Sequence, residues 1–124
     1  MQRPLKFRCW DKLAKQFTYP DKGYQGHYVL TLNGEFWNLQ NGSGGDEYVV
    51  QQWTGLTDYE RNYIYEGDIV RYELDGIVYT QTVGWGNNGW EMIDTRLYST
   101  PLITNLPNFE VIGNVFEHSE LLNK

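Results

Sequence analysis

Glu66 and Asp68 stand on either side of Gly67, within Tyr65-Glu66-Gly67-Asp68-Ile69-Val70. In an extended segment, residues two apart project to one face, so both carboxylates could meet a single cation or act as an acid/base pair. A hard cation needs several further oxygen ligands, and no carboxylate at fixed spacing supplies them. The competing reading gives Gly67 a turn, with Glu66 and Asp68 bonding nearby backbone N–H groups or facing water. The residue types favour that structural role, because a reaction centre needs a constellation and none is visible. His27 and His118 have no Cys or carboxylate at metal-ligand spacing beside them, and one Cys with two His excludes a structural zinc site. Cys9 falls on the alternation of Leu5 and Phe7, which reads as a small buried hydrophobe rather than a nucleophile. Gly42-Ser43-Gly44-Gly45 lacks the Lys of a phosphate-binding loop. No catalytic, cofactor-binding or metal residue is assigned, and no cofactor is expected. The candidate interaction or structural motif is Trp53, Gly55, Tyr65, Glu66, Gly67 and Asp68.

The elements around these residues read mostly as strands. Leu5, Phe7 and Cys9 alternate with Lys6, Arg8 and Trp10, the period of a half-buried strand. Asp11 to Lys15 is a connection, and Gln16-Phe17-Thr18-Tyr19 returns before Pro20 stops it. Asn33-Gly34 and Asp75-Gly76 each separate two apolar runs and predict type I′ hairpins, since both turn positions need positive φ. Asn41 to Asp46 is a flexible loop. Tyr48 to Trp53 forms a strand leading into a Trp-Thr-Gly-Leu turn, and Gly86-Asn87-Asn88-Gly89 turns the chain into Trp90-Glu91-Met92-Ile93. The segment from Arg96 to Asn108, with Pro101 and Pro107, is irregular. Phe109 to Phe116 closes the strand set, and Ser119 caps a short helix through Leu122.

A chain of 124 residues is the length of one domain, here residues 1–124. Short strands at this spacing predict a mainly β fold, a small closed or partly open β-barrel with SH3-like strands and a short C-terminal helix. Net charge −6, with ten Lys and Arg scattered along the chain, disfavours nucleic acid, whose binders usually carry a basic stripe. The N-terminus opens no apolar run and no stretch approaches the length of a membrane span, so a cytoplasmic protein without a signal peptide is expected. A lone Cys fits a reducing compartment. Five Trp and ten Tyr exceed what a core of this size must bury. They read either as exposed contact area or as cross-strand aromatic pairs.

Three blocks together resemble the YopX family of phage and prophage proteins. The first is Lys6-Phe7-Arg8-Cys9-Trp10-Asp11, where the family shows Lys-Phe-Arg-Ala-Trp-Asp. The second runs from Gln52-Trp53-Thr54-Gly55-Leu56 to Ile64-Tyr65-Glu66-Gly67-Asp68-Ile69-Val70. The third is Val111-Ile112-Gly113-Asn114-Val115-Phe116-Glu117, followed by Ser119-Glu120-Leu121-Leu122. The resemblance implies a mainly β domain with a barrel-like core, encoded by a phage or prophage and acting in a bacterial host, and it implies no activity. Relatives carry an Asn-Gly-Lys-Glu-like turn where this chain has Glu60-Arg61-Asn62-Tyr63.

Three function classes follow. The first is a non-enzymatic protein-interaction domain that self-associates and meets an unidentified host or phage protein. The second is a nucleic-acid-associated accessory or regulatory protein of phage DNA metabolism, which requires Lys6, Arg8, Lys12, Lys15, Arg61 and Arg71 on one face. The third is a glycan binder or enzyme, which requires an aromatic-lined, carboxylate-bearing cleft.

Overall fold

Asp11 makes the first reversal of the chain. Its Oδ1 accepts the N–H groups of Leu13 (3.0 Å) and Ala14 (2.9 Å), and Lys15 takes a left-handed φ of 55° to re-enter extended structure. The computed structural model describes residues 4–22, 27–94 and 98–122. Of the described residues, strand makes up 53% and 3₁₀ helix 6%, which fixes the class as mainly β. The chain divides into two compact units, Met1–Trp53 and Thr54–Lys124.

In the first unit, β1 (Phe7–Asp11) pairs antiparallel with β2 (Gln16–Thr18) on one side. On the other side it pairs with β6 (Tyr48–Thr57), Phe7 opposite Gln52 and Asp11 opposite Tyr48. β1 departs from the half-buried pattern: Arg8 and Trp10 are buried along with Cys9. Phe17 covers that second face, with the Arg8 guanidinium 4.2 Å over its ring and Trp10 edge-on at 5.0 Å. Arg8 Nε also donates to Gln51 Oε1 at 2.9 Å.

A three-stranded sheet of β3 (Tyr28–Leu30), β4 (Phe36–Asn38) and β5 (Ser43–Gly44) completes the unit. The Asn33-Gly34 hairpin is not type I′. Only Gly34 has positive φ (84°), and Thr31 and Glu35 close a longer loop in which Gly34 N–H donates to Thr31 O. The Thr31 hydroxyl accepts Glu35 N–H at 3.1 Å, which favours this wider closure. The expected loop at Asn41–Asp46 is instead β5 and a 3₁₀ turn, Gly45–Glu47. Gly44 is buried against the Trp37 indole, where a Cβ would collide with the ring, and its N–H donates to Glu47 Oε1 (2.8 Å). The glycines expected to loosen this segment let it pack.

The second unit holds the end of β6, β7 (Tyr63–Tyr65), β8 (Asp68–Leu74), β9 (Ile77–Gly86), β10 (Gly89–Ile93), β11 (Ser99–Pro101) and β12 (Glu110–Asn114). Asp75 (φ 53°) and Gly76 (φ 78°) form the predicted type I′ turn, with Leu74 opposite Ile77. The five-stranded order β11-β10-β9-β8-β12 does not close on itself. In place of a closed barrel there is a curled half-barrel sheet. Its edges explain this: β11 is three residues ending in Pro101, which cannot donate to a further strand, and β12 is bulged at Ile112, between Val111 and Gly113. Ile64, Val70, Tyr72, Val83, Met92 and Phe109 form the core. β11 also gives order to part of the segment expected to be irregular. Arg96 and Met1–Arg3, on which other expectations fell, lie outside the described residues.

No C-terminal helix forms. Ser119–Leu122 is a single 3₁₀ turn, in which Leu121 N–H donates to His118 O (3.0 Å). Four residues cannot offset the cost of nucleating an α-helix.

Candidate functional site

The six singled-out residues lie in strand β6 and in the turn that leads from β7 into β8. Trp53 N–H donates to Lys6 O (2.8 Å), and the Trp-Thr-Gly-Leu stretch is strand rather than turn. Gly55 sits within that strand at φ 89°. Gly67, at φ 82°, occupies the third position of the reversal from Tyr65 to Asp68, the place where a type II turn needs a left-handed residue. Asp68 is buried, and its Oδ2 accepts Tyr65 N–H across the turn at 2.8 Å. Gly67 N–H donates to Val83 O (2.8 Å), and its carbonyl accepts Val115 N–H (2.9 Å). The Tyr65–Asp68 turn is thereby tied to β9 and to the segment after β12. Glu66 is half-buried. Among the described residues, no three His, Cys, Asp or Glu side chains come together as a metal site.

The remaining candidates make packing and backbone contacts. Cys9 is fully buried, and burial pushes its thiol up to about 12, so it carries no thiolate near neutral pH. His27 packs edge-on against Tyr28. His118 Nδ1 accepts Asn114 N–H at 3.2 Å, which holds the neutral ring as the Nε2–H tautomer. Of the Trp residues, Trp10 is buried, Trp37, Trp53 and Trp90 are half-buried, and Trp85 is 63% exposed. Trp85 and Trp90 lie opposite each other on β9 and β10 and meet edge-to-face at 4.9 Å. Exposure and cross-strand pairing thus meet in one residue, Trp85.

Asp58, which the sequence reading passed over, organises the segment where this chain departs from the family pattern. It is 5% exposed. Its Oδ1 accepts the N–H groups of Glu60 and Asn62, both at 2.9 Å. Its Oδ2 accepts Val111 N–H (3.0 Å) and Asn62 Nδ2 (3.3 Å). Asp58 N–H donates to Asn62 O, and Arg61, at φ 67°, donates its N–H to Asp58 O. A single carboxylate closes the Asp58–Asn62 loop and fastens it to β12. The available signal was an Asp at the head of a polar span, a common turn initiator.

This loop presents Tyr59 beside a cleft of ≈ 350 Å³ lined by Tyr59, Arg71, Tyr72, Glu73, Val78, Asn108 and Glu110. Arg71 and Glu110 face each other on β8 and β12 and form an ion pair. Tyr59 is 57% exposed, and the Glu60 carboxylate, with desolvation, Glu110 and Asp58, pushes the pKa of its phenol up, against ionisation. Arg71 neutralises Glu110, which leaves Glu73 as the carboxylate of the cleft lining without an ion pair among the described residues. A second, more apolar cleft of ≈ 260 Å³ lies in the first unit, among Leu5, Phe7, Tyr28, Leu30 and Phe36, with the Lys6–Asp21 ion pair (3.4 Å) among its lining residues.

The family model described as "YopX protein" matches residues 6–123. No curated protein matches the chain. Two solved structures are similar to it. The crystal structure of protein EF1440 from Enterococcus faecalis aligns with TM-score 0.65 at 20% identity, over 98% of this chain and 99% of that one. The X-ray structure of protein yopX from Bacillus subtilis aligns with TM-score 0.64 at 19% identity, over 94% and 97%. At these identities the likeness concerns the fold.

Proposed function

The chain belongs to the YopX family, and from that premise we propose that it is a phage- or prophage-encoded accessory protein of the host cytoplasm. It catalyses no reaction, acts through protein–protein contacts and self-associates. One observation carries the reading. Leu74 and Ile77, opposite each other at the tip of the β8–β9 hairpin, continue the sheet face that carries Tyr72 and Tyr79, yet they are 43% and 55% exposed. An apolar cross-strand pair extending beyond its own core is suited to cover by another chain, and a second copy supplies the same pair by symmetry. Sedimentation velocity at micromolar concentration tests this. An oligomer that the Leu74→Lys/Ile77→Lys double variant disperses supports it, and a strict monomer removes the self-association. A pull-down from the lysogenic host then tests for a second partner.

The rival classes have weaker support. For nucleic acid, Arg8 is buried under Phe17, while Lys6 and Arg71 are drawn into ion pairs with Asp21 and Glu110. These side chains are poorly placed to release counterions from phosphates. For a glycan, the Tyr59 cleft has the aromatic and the carboxylates, but Glu110 is engaged by Arg71 rather than facing Glu73 as half of an acid pair.

A further inference from the structure

From Ile69 to its end β8 is paired on one side, and only partly on the other. On the β9 side the ladder runs from Ile69–Thr82 to Leu74–Ile77. On the β12 side it ends at Arg71–Glu110. Beyond that point β12 is led away. Asn108 takes a left-handed φ of 57°, Phe109 N–H turns back to Leu106 O (3.2 Å), and Phe109 O accepts Tyr59 N–H (3.1 Å). Glu73 and Leu74, the end of β8, have no ladder partner there among the described residues, while the Tyr72 ring still stacks on Phe109 at 5.9 Å, and the ≈ 350 Å³ cleft lies where the strand would continue.

The type I′ turn decides which backbone groups face this gap. A two-residue hairpin closes on a hydrogen-bonded pair, here Leu74–Ile77, and bonding alternates along an antiparallel ladder. Leu74 and Tyr72 therefore direct their N–H and C=O groups toward β9. Glu73 directs both of its groups the other way, into the cleft. Its ladder partner, by the Arg71–Glu110 register, would be Asn108, and no backbone bond joins the two among the described residues. Nor does the Glu73 carboxylate form an ion pair among them.

We propose that this cleft receives an extended peptide segment carrying Arg or Lys, added as a short strand against Glu73 in the place β12 vacates. Its recognition residue exchanges two backbone hydrogen bonds with Glu73. That residue's side chain then lies on the face shared by Arg71, Glu73 and Val78, directly beside the Glu73 carboxylate. Tyr59 flanks the gap with an exposed ring beside the Glu60 carboxylate, and because Arg71 neutralises Glu110 the charge left open on the cleft lining is Glu73, which suits a guanidinium or ammonium stacked on Tyr59. An acidic side chain at the same position would meet those carboxylates. The proposal rests on the interaction-domain reading and deepens it by naming a site and the chemistry of its partner.

The test is an amide-resolved NMR titration of the whole chain with a blocked Val-Arg-Val tripeptide. The expected result is saturable shifts at Glu73, Asn108 and Tyr59. Binding should weaken roughly tenfold in Glu73→Lys, an exposed strand position that leaves folding intact. It should also be lost when the peptide's Arg nitrogen is methylated, because methylation removes the strand's donor but keeps the charge. No shift at Glu73 at millimolar peptide, equal binding of Val-Glu-Val, or indifference to N-methylation each overturns the proposal. So does a chitotriose that shifts the same amides where the peptide does not. These outcomes are independent of sedimentation and the pull-down, so the cleft can fail while the interaction reading stands.

Discussion

Replacing Asp58 by Ala removes four hydrogen bonds at once and leaves all four donors in place. The Glu60 and Asn62 N–H groups lie in a surface loop where water can replace the carboxylate, so each costs about 1 kcal/mol, as a lost cap does. Val111 N–H is different. It belongs to β12 beside the bulge, and an unmet donor at a part-buried site costs about 1–3 kcal/mol. Taken together, the variant should lose about 3–5 kcal/mol of the 5–15 kcal/mol by which a domain is stable. For a chain of this length that is a fall of about 10–20 °C in Tm. Asp58→Asn sharpens the test: it keeps one acceptor oxygen but turns an NH₂ toward either the loop donors or Val111 N–H, so it should recover less than half of the loss. Urea and thermal denaturation of the three proteins measure this. If Asp58→Ala unfolds within about 1 kcal/mol of the parent, the carboxylate does not hold the loop to β12, and the account of the Glu60–Tyr63 departure fails with it.

Three further outcomes can be checked. The Cys9 thiol is raised from 9.0 to about 12 by burial, so its stabilising contribution is complete below pH 9 and lost as pH rises toward 12. Between about pH 9 and 10.5 stability should fall by up to ~1.4 kcal/mol per pH unit from this group, a slope that Cys9→Ala lacks in urea titrations, while a thiol reagent labels the native protein only on unfolding. Gly44→Ala drives a methyl group into the Trp37 ring and toward Phe36 O, and should cost about 2–3 kcal/mol with a change in Trp fluorescence. Tyr72→Phe strands buried Gln81 Oε1, which now accepts the Tyr72 hydroxyl at 2.6 Å, and should cost about 1–3 kcal/mol by chemical denaturation.

What the sequence made legible was local. Asp75-Gly76 announced a type I′ hairpin because only residues tolerant of positive φ fit both turn positions, and the structure has both angles. The turn role of Glu66-Gly67-Asp68 was likewise contained in its own residue types. Asn33-Gly34 misled because a neighbour outside the dipeptide, Thr31, offers its hydroxyl to Glu35 and fixes a longer loop. The Gly-rich run at 41–46 misled for a related reason: glycine signals flexibility in isolation, but beside a Trp it permits a close approach. Barrel closure depends on the partners of the outermost strands, a long-range property that strand periodicity does not encode. The cleft was illegible on the same account. It is bordered by residues from 59 to 110, and it exists because Asn108 turns away from β8.

The Trp85–Trp90 pair gives the β9–β10 hairpin an optical label of its own. Two indoles held edge-to-face at 4.9 Å couple their electronic transitions, so the paired hairpin should show an exciton couplet in circular dichroism that a separated pair cannot. The couplet reports on one hairpin, while fluorescence averages over five Trp. Following both signals through a denaturant series would reveal whether this corner of the half-barrel melts with its core or ahead of it.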